Sequence, residues 1–146
     1  MSDIGFTHIA LQCRNPDASA AFYARYAGMR VVHRRHDAKA THDVLWLSDG
    51  TRPFVIVLIG AERVESVLGP VAHLGVGCAS RAAVDRLAAE ARAAGIAVAG
   101  PEDRGAPVGY FALLHDPDGH VLELSFGQEV GLAAARAGAE RAPVPK

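Results

Sequence analysis

Two stretches decide the fold: Phe6-Thr7-His8-Ile9-Ala10-Leu11-Gln12-Cys13 and Val71-Ala72-His73-Leu74-Gly75-Val76-Gly77-Cys78. Histidine, the aliphatic residue after it, a second aliphatic residue and a cysteine recur at an offset of 65 (8 to 73, 13 to 78). Both stretches alternate. His8, Ala10 and Gln12 share one face, while Ile9, Leu11 and Cys13 share the other. His73, Gly75 and Gly77 likewise oppose Leu74, Val76 and Cys78. Period-two alternation predicts a strand with one face on a hydrophobic layer, and a fixed-offset repeat predicts two copies of one supersecondary unit.

Working outward, each strand is followed by helix signals. Asn15-Pro16 offers an N-cap and a proline at the first helical position, and Gly28 offers a left-handed stop. In the second half Ser80 caps a helix over 81–94 that ends at Gly95, with Val84, Leu87, Ala88 and Ala91 as its apolar stripe. Three strands follow each helix, over 29–35, 44–47 and 54–59, and over 97–99, 110–115 and 121–126. Asp49-Gly50 and Asp116-Pro117-Asp118-Gly119 mark matching turns. Each half reads β-α-β-β-β. The expected organisation is a first module over 1–60, a linker over 61–70, a second module over 71–127 and a tail over 128–146. The tail carries a short helix over 130–137 and disordered last residues. The fold class is α+β: two tandem βαβββ modules curl into a cup-shaped mixed sheet with helices outside.

Composition narrows the function. The 146 residues are half apolar, and the net charge is −1 with neutral histidines. That balance exerts no general pull on nucleic acid or on an anionic membrane. No apolar run approaches the roughly 20 residues of a membrane span, and the first residues lack the basic and apolar regions of a signal peptide. A cytoplasmic protein without nucleic-acid or membrane partners is expected. Cys13 and Cys78 form neither a CxxC nor a zinc-ribbon spacing, so they read as reduced thiols acting as small hydrophobes. Seven histidines are the richer source of chemistry.

His8 and His73 occupy equivalent places on the open faces of the two modules. In the last strand Val121, Glu123 and Ser125 share a face, against Leu122, Leu124 and Phe126. A carboxylate inside such an apolar strand calls for a partner. Two imidazoles and one carboxylate make a site with open coordination positions, suited to Fe, Mn, Zn, Co or Ni. Gln12, on the His8 face, is a candidate for substrate or ligand contact. So are Trp46 on the first module, and Arg104 and Tyr110 around the Gly/Pro-rich segment 100–109. Tyr110 is also the one catalytic candidate. His115 and His120 flank a turn and read as structural. His33, His36 and His42, with Arg34, Arg35 and Lys39, read as a solvated loop. In a functional reading that loop is a basic rim steering an anionic substrate.

The segment His115-Asp116-Pro117-Asp118-Gly119-His120-Val121-Leu122-Glu123-Leu124 resembles the turn and glutamate-bearing strand of the vicinal oxygen chelate superfamily. That superfamily contains glyoxalases, bleomycin resistance proteins and type I extradiol dioxygenases. The resemblance spans about 6–127 and implies one divalent metal on His8, His73 and Glu123, a small-molecule substrate and a homodimer. The departures refine it. Glyoxalase I adds a fourth ligand late in its first half, whereas 54–59 here has no ligand-type side chain, so that activity is not expected. Extradiol dioxygenases carry a tyrosine where Leu113 stands and a histidine upstream, and 102–108 has none. Fosfomycin-resistance enzymes carry a lysine-bearing loop in the second half, but the only lysines are Lys39 and Lys146. Bleomycin-binding members lack the metal, and the retained ligands argue against pure sequestration. The expectation is a metal-dependent dioxygenase or lyase for a small oxygen-rich molecule, with a small-molecule-binding, bleomycin-resistance-like protein as its alternative.

Overall fold

A computed structural model describes residues 5–36 and 42–140. The chain runs β1 (His8–Cys13), α1 (Pro16–Ala27), β2 (Arg30–His36), β3 (Asp43–Ser48), β4 (Val55–Gly60), β5 (Leu74–Gly77), α2 (Arg81–Ala93), β6 (Val98–Asp103), β7 (Tyr110–His115), β8 (Val121–Phe126) and α3 (Val130–Glu140). The expected β-α-β-β-β order thus appears twice. Each module forms its own four-stranded sheet, ordered β1-β4-β3-β2 and β5-β8-β7-β6. In each sheet the first strand pairs parallel with the fourth, and the other pairs are antiparallel.

Local chemistry sets the helix ends. The Asn15 side chain accepts the Ala18 N–H, Pro16 opens α1, and Gly28 closes it at φ 63°, a conformation that glycine adopts without steric cost. The Ser80 hydroxyl accepts the Ala83 N–H at the start of α2. Two strands differ from the sequence expectation. β5 begins only at Leu74, so His73 stands just outside it. β6 runs on to Asp103, because a register shift between Ala99 and Glu102 lets it pass Gly100-Pro101 and pair again with β7. The C-terminal helix is longer than expected, reaching Glu140, and buries no side chain. Lys39 and residues 141–146 lie outside the described residues.

One core serves both modules. Leu11, Cys13, Phe22, Tyr23, Tyr26, Leu45, Leu47 and Leu58 pack in one cluster with Val84, Ala88, Ala91, Leu114, Leu122 and Leu124. These are the helix-facing sets of the alternating strands, as the periodicity predicts. Truncating one of its leucines to alanine costs about 2–5 kcal/mol.

Polar clasps fix one module on the other. Arg14 Nε meets Asp118 Oδ1 at 2.8 Å, and Arg25 pairs with Glu90. The buried Tyr23 hydroxyl donates to Asp116 Oδ2 at 3.0 Å, while Asp116 Oδ1 accepts the N–H groups of Asp118 and His120. His120 is 1% exposed. Its Nδ1 accepts the Leu68 N–H at 2.9 Å, so its Nε2 carries the proton and donates to the Gln12 carbonyl at 2.7 Å. His120 therefore ties the linker and β1 to the β7–β8 turn, a structural role as expected. Among the described residues no helix is long and apolar enough to cross a membrane.

Candidate metal centre

The strand registers assign every side chain to a face. In the first sheet His8 pairs with Val55, Ala10 with Val57 and Gln12 with Ile59, while Trp46 pairs with Val57 and Val44 with Ile59. These residues share the face opposite the core. In the second sheet Gly75 pairs with Glu123, Gly77 with Ser125, Leu113 with Glu123 and Phe111 with Ser125. They form the corresponding face there.

Glu123 is 6% exposed. Its Oε1 accepts from Gln128 Nε2 at 2.7 Å, and its Oε2 lies 3.5 Å from His73 Nε2. His73 Nδ1 is 2.7 Å from the Val71 carbonyl. A carbonyl only accepts, so Nδ1 carries a proton. Nε2 thus faces a carboxylate oxygen across 3.5 Å, a gap that either a metal ion or a proton on Nε2 can bridge. Two donors about 2.1 Å from one ion stand about 3.0–3.4 Å apart for octahedral to tetrahedral angles, close to the observed separation. A ligating histidine also commonly holds its second nitrogen on a backbone carbonyl. The pair thus fits half of a nitrogen–oxygen metal site.

The third expected ligand is elsewhere. Among the described residues no group of three or more His, Cys, Asp and Glu side chains gathers as a metal site. His8 is exposed on the edge strand of the first sheet, its Nδ1 3.0 Å from Thr7 Oγ1. The fold therefore unites His73 with Glu123 and leaves His8 apart from both.

The remaining candidates divide by face. The Arg104 guanidinium sits 5.6 Å over the Phe111 ring and pairs with Glu102 at 2.5 Å, on the Glu123 side. Trp46 is 40% exposed and packs on His33 with ring centroids 4.7 Å apart. Tyr110 goes to the other side: with Ala112 and Leu114 it faces α2, its hydroxyl donates to Asp85 and its ring lies under Arg81. Tyr110, the candidate for substrate contact and catalysis, thus faces α2, since Tyr110 and Leu113 point to opposite faces. The Gln12 side chain is occupied, accepting the Glu65 N–H of the linker at 2.9 Å. In the basic hairpin Arg34 is neutralised by Asp17 and Asp43, and His36 also meets Asp43.

Sequence reasoning missed Gln128 and Phe111. Phe111 was open to discovery, because counting β7 in twos from Leu113 places it on the site face. An open cleft of about 1090 Å³ is lined in part by Leu74, Val76 and Leu122 of the core face and by Gln128 and Leu132, and neither His73 nor Glu123 lines it. A shallower hollow of about 640 Å³ lies between α1 and the β7–β8 turn on the helix side, and neither His73 nor Glu123 lines it.

Known proteins share the fold. Residues 5–124 match the model of the Glyoxalase/Bleomycin resistance protein/Dioxygenase superfamily. The chain belongs to that superfamily. It is 37% identical over 142 residues to the uncharacterized protein PA2024 of Pseudomonas aeruginosa, covering 95% of this chain and 96% of that one. Among solved structures it resembles the trypanothione-dependent glyoxalase I of Leishmania major, with a TM-score of 0.66 and 20% identity over 94% of this chain and 96% of the other. It also resembles a mutant fosfomycin resistance protein of Listeria monocytogenes complexed with Mn(II) and dihydroxypropylphosphonic acid. There the TM-score is 0.68 and the identity 18%, over 85% and 93% of the two chains. At these identities the structural likeness is one of fold.

Proposed function

We propose that the protein is a divalent-metal-dependent enzyme acting on a small oxygen-rich organic substrate, and that it works as a homodimer. His73 and Glu123 of one chain and His8 of a second copy would hold the ion. The observation that carries this reading is the buried Glu123 carboxylate 3.5 Å from His73 Nε2, while His73 Nδ1 is held by the Val71 carbonyl. When bound, the metal would supply Lewis-acid stabilisation of negative charge developing on a substrate oxygen, or activate oxygen. Fe, Mn, Zn, Co and Ni all suit this donor set.

The chain's own residues shape the rest. Gly75 and Gly77 have nothing within 4 Å of where a Cβ would stand, so β5 leaves room for substrate beside Glu123. Phe111 and Leu113 exclude water from that face, and Arg104 above Phe111 offers a cation to an anionic substituent. The registers Ala10–Val57 and Gly75–Glu123 make Val57 the counterpart of Glu123 in the first module. With an aliphatic side chain there, glyoxalase I chemistry has no fourth ligand or proton carrier. A dioxygenase or lyase reaction that asks less of a protein base fits better.

The same absence favours a second reading, a binding protein that sequesters a planar or metal-chelating compound. Such a protein would bind the compound equally well with and without metal and turn over nothing.

Metal analysis of the purified wild type beside Glu123→Gln separates these readings. About one equivalent of a transition metal per chain, lost in the variant, supports the enzyme. Apo Glu123→Gln should also be more stable than apo wild type by about 1 kcal/mol, since a buried, partly paired charge is removed. A wild type that takes up no metal even on reconstitution would refute the metal site.

A further inference from the structure

Gln128 lies beyond β8, and an extended chain would carry it far from Glu123, five residues earlier and on the opposite face. The chain instead doubles back. Gly127 has φ 90°, and Glu129 has φ 50°, the one positive φ outside glycine among the described residues. A non-glycine residue held in this region points to a local constraint. The reversal places Gln128 Nε2 2.7 Å from Glu123 Oε1.

The two carboxylate oxygens are thereby given different tasks. Oε1 is engaged by an amide donor, and Oε2 faces His73. From this division we infer that Gln128 is a positioning residue. It fixes the Glu123 rotamer, directs Oε2 alone toward the ion and makes the carboxylate a one-oxygen ligand. The inference rests on the metal reading above and deepens it. It also explains why the chain turns sharply just before α3: the first residues after β8 serve the site rather than the core, and α3 itself buries no side chain.

The test uses the full chain with Mn(II) and Co(II) as probes. Wild type, Gln128→Met and His73→Ala are compared by titration calorimetry with Mn(II), by the visible spectrum of the Co(II)-loaded protein, and by thermal unfolding of the apo form. Methionine keeps the length and apolar bulk of the side chain but lacks the donor. Gln128→Met should unfold somewhat below the wild-type temperature in the apo form, because the buried Glu123 Oε1 loses its donor, and should bind Mn(II) roughly 10–100-fold more weakly. Its Co(II) bands should shift as the freed carboxylate turns toward two-oxygen ligation. A role confined to stability would lower the apo unfolding temperature but leave the Mn(II) affinity and the Co(II) bands in place, which overturns the inference. Unchanged affinity and spectrum would overturn it while the metal site stands. Failure of the wild type itself to bind either ion would remove both.

Discussion

Val57 holds in the first sheet the position that Glu123 holds in the second: one pairs with Ala10 and the other with Gly75, residues 65 apart in the repeat. The two modules have kept a shared backbone and diverged at the position where a ligand would count. Val57 and His8 stand on one face of adjoining strands, so a carboxylate at 57 would join whatever ion His8 serves.

Val57→Glu is therefore expected to add a ligand. Its affinity for Mn(II) or Zn(II), measured by competition with a chelator, should rise by roughly tenfold or more, as ligand charge increases. Val57→Gln should give a smaller gain. If Val57→Glu leaves the affinity unchanged, the first sheet does not face the metal.

Tyr23→Phe tests how the modules are held together. It removes the hydroxyl that donates to Asp116 Oδ2 and leaves that oxygen buried without it. Chemical denaturation should show a loss of about 1–3 kcal/mol. Asp116→Ala should cost more, because it also strips the acceptor from the Asp118 and His120 N–H groups. Equal stability of all three proteins would show that the clasp is incidental.

Cys13 makes a pH prediction. Burial, helped by the charge of Asp118, pushes its thiol up from 9.0 to about 11. The folded state thus holds the proton more tightly than the unfolded chain. The corresponding stability is fully present below pH 9, where both states are protonated, and is lost between pH 9 and about 11 as the unfolded thiol ionises. Urea midpoints should fall across that window in the wild type and fall less in Cys13→Ala. A thiol-specific reagent should label Cys13 at pH 8 only after unfolding, since the thiolate is the reactive form. Rapid labelling of the native protein at Cys13 would contradict this.

Much of this architecture is visible in the chain because it rests on local rules. Alternation in 8–13 and 73–78 assigned faces correctly, and Asn15, Pro16, Gly28 and Ser80 bounded their helices where capping chemistry requires. The Asp116–Gly119 turn announced β8 and the place of Glu123. What the pattern could not convey was distance between sheets. Periodicity puts His8 and His73 on open faces, but not on the same ion, and only the three-dimensional structure separates them. Tyr110 follows the parity of β7 and faces α2, which its nearness in sequence to a Gly/Pro-rich loop does not reveal. Gln128 had no local signal at all, since its role depends on a backbone reversal at Gly127 and Glu129 that no residue type there demands.

A dimer with a shared metal centre is the central claim, and mixed dimers test it most directly. Co-expressed and differently tagged His8→Ala and Glu123→Gln chains, purified as the heterodimer, contain one complete set of ligands if the ion is shared: His73 and Glu123 from the first chain, His8 from the second. Each homodimer alone should lack metal, and the heterodimer should carry roughly half the wild-type content. A metal-free heterodimer would contradict a shared site, as would full metal content in the His8→Ala homodimer.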